Sequence, residues 1–269
     1  MGETGKVYLI GAGPGGPELL TLKAVRLLNE ADVVIHDRLV SDEILKMVPR
    51  TTALLSVGKE PKRHPVTQAE INRLLVKHAR GGLTVVRLKG GDPFIFGRGS
   101  EEAIELAREN IPFEIVPGIT AAQGCAASAL VPLTHRGFAT GLRFVTGHCR
   151  DDAPLDLDWT GLADASTTLV VYMGFAQIAE IAAGLIAHGR APSTPVAAVS
   201  AGTTPEQKVL RSRLDAIASD TRMAGMRNPV VFYIGEVAAI DLHAATAGKP
   251  PLRLVEADRQ TVREEAAHG

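Results

Sequence analysis

Val85-Val86-Arg87-Leu88-Lys89-Gly90-Gly91-Asp92-Pro93-Phe94-Ile95-Phe96-Gly97-Arg98-Gly99 is the stretch that sets the fold class. It opens as a β-branched strand, breaks at Gly90-Gly91, and places an acid, two aromatics and an arginine among glycines before a helical pattern begins at Ser100. Glycine there permits positive φ and lets a ligand approach backbone N–H and C=O groups closely, while Pro93 fixes one turn of the path. A tight strand-to-helix turn would account for Gly-Gly-Asp alone. The acid, aromatics and arginine together point to a ligand-binding loop.

The same strand-then-helix alternation extends to both sides. Lys6 to Ile10 reads as a buried strand, followed by a Gly/Pro turn and by Leu19, Leu20, Leu22, Ala24, Leu27 and Leu28 at helical spacing. Further strands fall at Ala31 to His36, Thr52 to Val57 and Phe113 to Val116; a short helix from Ser41 to Val48 ends before Pro49. A helix beginning at Thr67 carries a capping box with Glu70 and a hydrophobic staple between Val66 and Ile71, and stops at Gly81-Gly82, where glycine takes the left-handed terminal conformation. Another helix runs from Ser100 to Asn110. Such alternation implies a parallel sheet covered on both faces.

Pro117-Gly118 interrupts the pattern, and a small-residue helix, Ile119 to Leu130, carries a hinge between two domains near its start. The second half repeats the alternation: strand Leu142 to Thr146, a polar stretch Arg150 to Asp158, strand Thr168 to Met173, helix Ala176 to Ala187, strand Pro195 to Val199, an extended Gln207 to Arg211, helix Leu214 to Met223 and strand Pro229 to Ile234. There is no internal repeat. The expected division is an N-terminal α/β domain over 1–118, a C-terminal α/β domain over 119–245, and a loose tail over 246–269, where the chain becomes charged and proline-interrupted.

The 269 residues are 45% hydrophobic and 22% charged, as in ordinary soluble globular proteins. A formal net charge of −1 creates no global field for nucleic acid or an anionic membrane, so an anionic ligand has to be met by a local group of arginines. Only Cys125 and Cys149 are present, without metal-like spacing, and there is no signal peptide or membrane-length apolar run; a reducing cytoplasm is the expectation. Cys125 reads as packing. G-x-S-x-G, H-E-x-x-H and P-loop patterns are missing, and His148-Cys149 is too isolated to argue for zinc, so no metal is expected.

Gly11, Gly13 and Gly16 match G-x-G-x-x-G between a strand and a helix, with Asp32 or Asp37 about 20 residues further on. A dinucleotide-binding oxidoreductase is therefore an alternative. Against it, Pro14 and Pro17 remove two N–H donors from the turn, and the second glycine loop goes unexplained.

Several further motifs stand in order along the chain: Leu20-Thr21-Leu22-Lys23-Ala24, Ala31 to Val40, Val116-Pro117-Gly118-Ile119-Thr120-Ala121-Ala122, Pro132-Leu133-Thr134-His135-Arg136, Thr146-Gly147-His148 and Tyr172-Met173-Gly174. With Val7 to Gly15 and the Val85 loop through Glu102, this set resembles the S-adenosylmethionine-dependent tetrapyrrole methylases, in particular those acting on uroporphyrinogen III, over residues 5 to 240. The resemblance implies two α/β domains with a cofactor cleft between them, unlike a Rossmann methyltransferase, and a homodimer. It also implies C-methylation of uroporphyrinogen III at C2 and C7, giving precorrin-1 and then precorrin-2, with S-adenosylhomocysteine as co-product; another precorrin methylase is the nearer alternative.

By the same resemblance the methyl donor lies against Pro14, Gly90, Gly91, Asp92, Ile95, Thr120, Ala121, Met173, Gly202 and Val230. An anionic Asp92 suits an ammonium- and sulfonium-bearing ligand, and the soft Met173 side chain can pack on adenine and border the substrate. A substrate with eight carboxylates calls for arginines, whose planar fork meets a carboxylate bidentately: Arg38, Arg98 and Arg136 stand at motif positions, with Lys59, Lys62, Arg63 and His64 as a second cluster. An electron-rich pyrrole carbon is already nucleophilic, so catalysis rests mainly on alignment, with Asp37, Glu101 and His148 as candidate general bases and Arg98 orienting the ring or stabilising developing charge.

Overall fold

A computed structural model describes residues 4–58, 66–148, 155–240 and 242. The chain forms two compact units: residues up to Cys125 together with Gly202–Pro205, and Ala126–Ala201 together with the residues from Glu206 onward.

Unit one holds β1 (Val7–Gly11), α1 (Leu22–Glu30), β2 (Val33–His36), α2 (Asp42–Leu45), β3 (Ala53–Ser56), α3 (Gln68–Arg80), β4 (Val85–Lys89), α4 (Gly99–Arg108) and β5 (Phe113–Val116). Its five strands are all parallel, in the order β3-β2-β4-β1-β5. Strand alternation divides the side chains between two faces. Val7, Leu9, Val33, Ile35 and Val85 pack with Ile71, Leu75 and Ala79 of α3 and Ala103 and Leu106 of α4. Ile10, Val34, Val86 and Leu88 pack with Ala24, Leu27 and Leu28 of α1 and Ile44 of α2. Arg87 and Lys89, two and four residues after Val85, therefore share the α3/α4 face.

Local signals act as their chemistry requires. Thr67 Oγ1 accepts from the Glu70 N–H at 3.3 Å and the Thr67 N–H donates to Glu70 Oε2 at 2.7 Å, completing the capping box; Val66 joins Ile71 in one apolar cluster. Past α3, Gly82 takes φ of 80°. The leucine run after the first glycine turn starts its α-helix later than its periodicity suggests. Pro17–Leu19 is a single 3-10 turn, and α1 begins at Leu22 because the Thr21 hydroxyl caps the Ala24 N–H at 3.2 Å.

In the second half, α5 (Ala121–Ser128) precedes β6 (Gly141–Thr146), α6 (Trp159–Leu162), β7 (Thr167–Tyr172), α7 (Ile178–Ala187), β8 (Pro195–Ser200), β9 (Lys208–Arg213), α8 (Ile217–Met223) and β10 (Val230–Ile234). Here alternation does not produce a wholly parallel sheet. The order is β6-β7-β10-β8-β9; β6 and β7 are parallel, but β10 runs antiparallel to both β7 and β8, and β8 and β9 are antiparallel. The short segment 201–207 joins β8 to β9 with no crossover helix, which permits only antiparallel pairing. Leu169, Val171, Ala198 and Phe232 build this core with Ile181 and Leu185 of α7 and Ile217 of α8. Among the described residues no helix is long and apolar enough to cross a membrane.

Candidate active site

Three strand ends of unit one converge on glycine. A Cβ on Gly11 would lie 2.5 Å from the Gly91 carbonyl oxygen and 2.6 Å from the Gly118 backbone, so the ends of β1, β4 and β5 approach to a distance that only glycine allows. The Gly13 N–H donates to Gly91 O at 3.1 Å, the Gly91 N–H to Gly13 O at 2.7 Å, and the Ala12 N–H to Lys89 O at 2.7 Å. Gly16 donates its N–H to Thr203 Oγ1 at 3.1 Å, and the Asp32 carboxylate accepts from the Thr84 N–H at 2.8 Å. The N–H groups of Ala12, Gly13 and Gly16, donors that a pyrophosphate would use, are thus engaged within the protein, and the helix that would receive it starts late. The literal dinucleotide fingerprint is a device for close backbone packing.

Around this junction unit one gathers most of the residues expected to hold the methyl donor. Pro14 lies against Gly124, where a Cβ would strike its ring. Gly91, at φ of 68°, has Thr120 and Ala121 beside it, and Gly202 presents its carbonyl 3.5 Å from the position of a Cβ on Gly15. Asp92 is half-buried; its Oδ1 accepts from the Phe94 N–H at 2.8 Å and its Oδ2 from the Gly118 N–H at 3.1 Å, so the carboxylate stands oriented by two backbone donors. Ile95 is exposed between Phe94 and Phe96. The nearby Cys125 thiol is pushed up to about 11 by burial and serves as packing.

Asp37 follows β2 and is half-buried, with one carboxylate oxygen paired to Arg87 and the other 3.9 Å from Lys89 Nζ. Arg38, next to it, is exposed. Arg98 caps α4 from a left-handed conformation and forks onto Glu101, Nε to Oε1 at 2.8 Å and Nη2 to Oε2 at 2.7 Å, a pairing that pushes the guanidinium further up. The bidentate mate of Arg98 in this structure is therefore the very carboxylate considered as a base. Both side chains are exposed, so the fork is open to exchange with a ligand carboxylate.

In unit two, the Gly147 N–H donates to Tyr172 O at 2.7 Å and Gly147 abuts Gly174, which brings the Thr146-Gly147-His148 and Tyr172-Met173-Gly174 motifs together at the ends of β6 and β7. His148 is exposed, and Met173 is 48% exposed at φ of 52°. Val230, at the start of β10, is buried; the register Phe232↔Val171 carries it toward Met173. Arg136 is exposed in the turn closed by the His135↔Ala139 bridge. Lys59, Lys62, Arg63, His64 and the tail over 246–269 lie outside the described residues.

Backbone strain marks the same places. Seven non-glycine residues among those described have positive φ, and Phe96, Arg98, Met173, Ala201 and Thr203 all belong to or border the motifs above. Each such residue costs on the order of 1–3 kcal/mol and persists where surrounding structure enforces it, typically at functional sites.

One buried group lies outside every motif. Arg87, Lys89 and Glu102 are 1%, 2% and 0% exposed, and Glu102 Oε1 accepts from Arg87 Nε and Lys89 Nζ, each at 3.0 Å. Burial, reinforced by the adjacent Arg87 charge, pushes the Lys89 ammonium below the ordinary lysine range, opposed by Glu102 and Asp37. The signal was present: two cations at i and i+2 of a fully apolar-flanked strand require buried counter-charges. Among the described residues no group of three or more His, Cys, Asp or Glu is placed to hold a metal ion.

A family model described as Tetrapyrrole (Corrin/Porphyrin) Methylases matches residues 6–218. A uroporphyrinogen-III C-methyltransferase of Paracoccus denitrificans is 57% identical over 236 residues, covering 88% of this chain and 82% of that protein. A siroheme synthase of Acinetobacter baylyi is 54% identical over 88% of this chain, which spans about half (51%) of its length. Among solved structures, a uroporphyrin-III C-methyl transferase of Thermus thermophilus complexed with S-adenyl homocysteine aligns with a TM-score of 0.76 at 43% identity, covering 88% of this chain and 95% of that one. With its fold, its glycine junction and its motifs all accounted for, the chain belongs to the tetrapyrrole methylase family.

Proposed function

We propose that this chain transfers methyl groups from S-adenosylmethionine to C2 and then C7 of uroporphyrinogen III, forming precorrin-1 and precorrin-2. The observation that carries this reading is the convergence of Pro14, Gly91, Asp92, Thr120, Ala121 and Gly202 on the carboxyl edge of the parallel sheet. The residues suit the donor. Asp92 supplies an oriented anion for an ammonium group, the Gly90-Gly91 and Gly202 backbones supply close hydrogen-bonding edges without obstructing side chains, and the Met173 thioether supplies a polarizable surface.

S-adenosylmethionine supplies an electrophilic methyl on sulfonium: the S–CH3 bond breaks as the pyrrole carbon–CH3 bond forms, and a neutral thioether leaves. This chain's share is alignment and charge. Arg98, with Arg38 and Arg136, binds acetate and propionate groups; alignment of carbon, methyl and sulfur in a water-poor site contributes most of the acceleration. Asp37 is the favoured acceptor for the proton that the macrocycle must lose, because it alone among Asp37, Glu101 and His148 sits half-buried on a fixed pair of cations. Glu101 instead gates Arg98. A homodimer in a reducing cytoplasm belongs to the same proposal, and sedimentation at micromolar concentration tests the former.

The deciding experiment incubates the protein anaerobically with S-adenosylmethionine and freshly generated uroporphyrinogen III, in parallel with the Paracoccus relative, and follows product mass. One and then two added methyl groups are expected. Absence of methylation while the relative turns over, or methylation of a later precorrin only, refutes the reading.

A further inference from the structure

We propose that Glu102 is a positioning residue: from inside unit one it fixes the Arg87 guanidinium, which in turn holds the Asp37 carboxylate, while Lys89 sets the charge behind it. This rests on Asp37 being the proton acceptor.

Glu102 makes an unusual set of contacts. Its Oε1 accepts from three donors, Arg87 Nε at 3.0 Å, Lys89 Nζ at 3.0 Å and Gln68 Nε2 at 3.1 Å, while its fully buried Oε2 has no partner among the described residues. A carboxylate selected only to stabilise would share its donors between both oxygens, since an orphaned buried acceptor costs on the order of 1–3 kcal/mol. Loading one oxygen does something else: it fixes the plane of Arg87. With Nε on Glu102 and Nη1 on the carbonyls of Ile35 and Leu88, both at 3.3 Å, the guanidinium has one face left, and Nη2 reaches Asp37. The chain of contacts thus runs from a fully buried acid to a half-buried one at the sheet's edge.

Among the described residues, the groups facing Asp37 are Arg87 and Lys89 from β4, with Glu102 of α4 behind both, and beside it in sequence Arg38 and His36, the last residue of β2, whose Nδ1 lies 3.1 Å from the Asp37 carbonyl oxygen. Gln68 of α3 is neutral. Removing the Glu102 charge leaves two uncompensated cations near Asp37 and favours its ionised form; removing the Lys89 charge does the opposite. Two substitutions in one buried cluster should therefore move the acid limb of turnover in opposite directions, which loss of packing alone does not do.

The test compares Glu102→Gln, Lys89→Met and Asp37→Asn with the parent, measuring pH profiles of kcat/KM and S-adenosylhomocysteine affinity by calorimetry. Substrate carboxylates titrate identically in every profile and cancel. Glu102→Gln is expected to lower kcat by tenfold or more with its acid limb displaced downward by roughly half a unit or more, and Lys89→Met to displace the limb upward, both with affinity for the thioether within about threefold. Limbs that stay in place or move together, or Glu102→Gln turnover within twofold of the parent, overturn the proposal. If Glu102→Gln does not fold, Lys89→Met decides alone, an unmoved or lowered limb being the refutation. Asp37→Asn separates the two levels: retained turnover defeats Asp37 as base, whereas lost turnover with unsplit limbs defeats Glu102 alone.

Discussion

Gly11→Ala should break the junction on which the candidate site is built. The added Cβ would sit 2.5 Å from Gly91 O and 2.6 Å from the Gly118 backbone, against an ordinary contact distance of about 3.4 Å or more, so backbone on one side or the other must retreat by roughly 0.8 Å. Neither neighbour is a flexible side chain. A shift of that size along the line joining Gly91 to Gly118 stretches the Asp92 Oδ2···H–N Gly118 bond from 3.1 Å to about 3.9 Å, outside hydrogen-bond range. Overpacking costs roughly 1–3 kcal/mol and the lost charged hydrogen bond about 1.5–3 kcal/mol, together about 2.5–6 kcal/mol. For a unit of this size that lowers the thermal midpoint by roughly 10 °C. A misplacement approaching 1 Å also reduces kcat/KM by on the order of a hundredfold. Differential scanning calorimetry and methylation kinetics read the two effects. Gly81→Ala is the control: Gly81 has φ of −75°, and a Cβ there meets His78 O at 3.2 Å and Lys77 O at 3.7 Å, with nothing under 3.0 Å. Parent-like midpoint and turnover in Gly11→Ala, or equal losses in Gly81→Ala, would refute the close-packing role.

Arg98→Ala should cut kcat/KM for uroporphyrinogen III by at least about a hundredfold while S-adenosylhomocysteine affinity stays within about threefold, since the exposed Arg98–Glu101 pair contributes little to stability (about 0–1 kcal/mol); unchanged turnover removes Arg98 from the site. Met173→Gly should leave the thermal midpoint within a few degrees, because relief of the positive φ offsets glycine's entropy, yet weaken thioether binding several-fold by calorimetry; undiminished binding contradicts the role given to Met173. Glu114 is held down to about 2 by Lys23 and by Lys6, whose Nζ is 2.7 Å away. A depressed folded-state carboxylate adds stability above its unfolded pKa and loses it as pH falls through the folded value, so the midpoint difference between parent and Glu114→Gln should be present at pH 7 in low salt and vanish as pH drops from the ordinary carboxylate range toward about 2. A difference that survives at pH 2 excludes the pairing as its source.

What the sequence made legible follows the range of the interactions involved. The Thr67–Glu70 capping box, the end of α3 at Gly81-Gly82 and the parallel first sheet depend on neighbours within a turn or on a repeated period, and each appears where the residues put it. The mixed second sheet does not, because β10 enters between β7 and β8, and no local pattern states which strands a late strand will separate. The same division runs through the site. Motif glycines were visible, but their purpose was not: Gly11 reads as a phosphate turn until Gly91 and Gly118 are seen to press against it. Arg98 and Glu101 read by motif as two separate functions, whereas their spacing of three residues places them within reach of one another. Arg87 and Lys89 carry a signal that no motif states. A buried strand that carries two cations on one face needs acids beside that face, and besides Asp37 after β2 these come from the helices that cover it, α3 and α4. Of the acids in those helices, Glu102 alone is fully buried. The charge requirement of the strand leads from Arg87 to Glu102 without any motif, and the Arg87–Asp37 pair then ties the residue proposed to take the proton to the helix whose N-cap, Arg98, is proposed to hold the substrate.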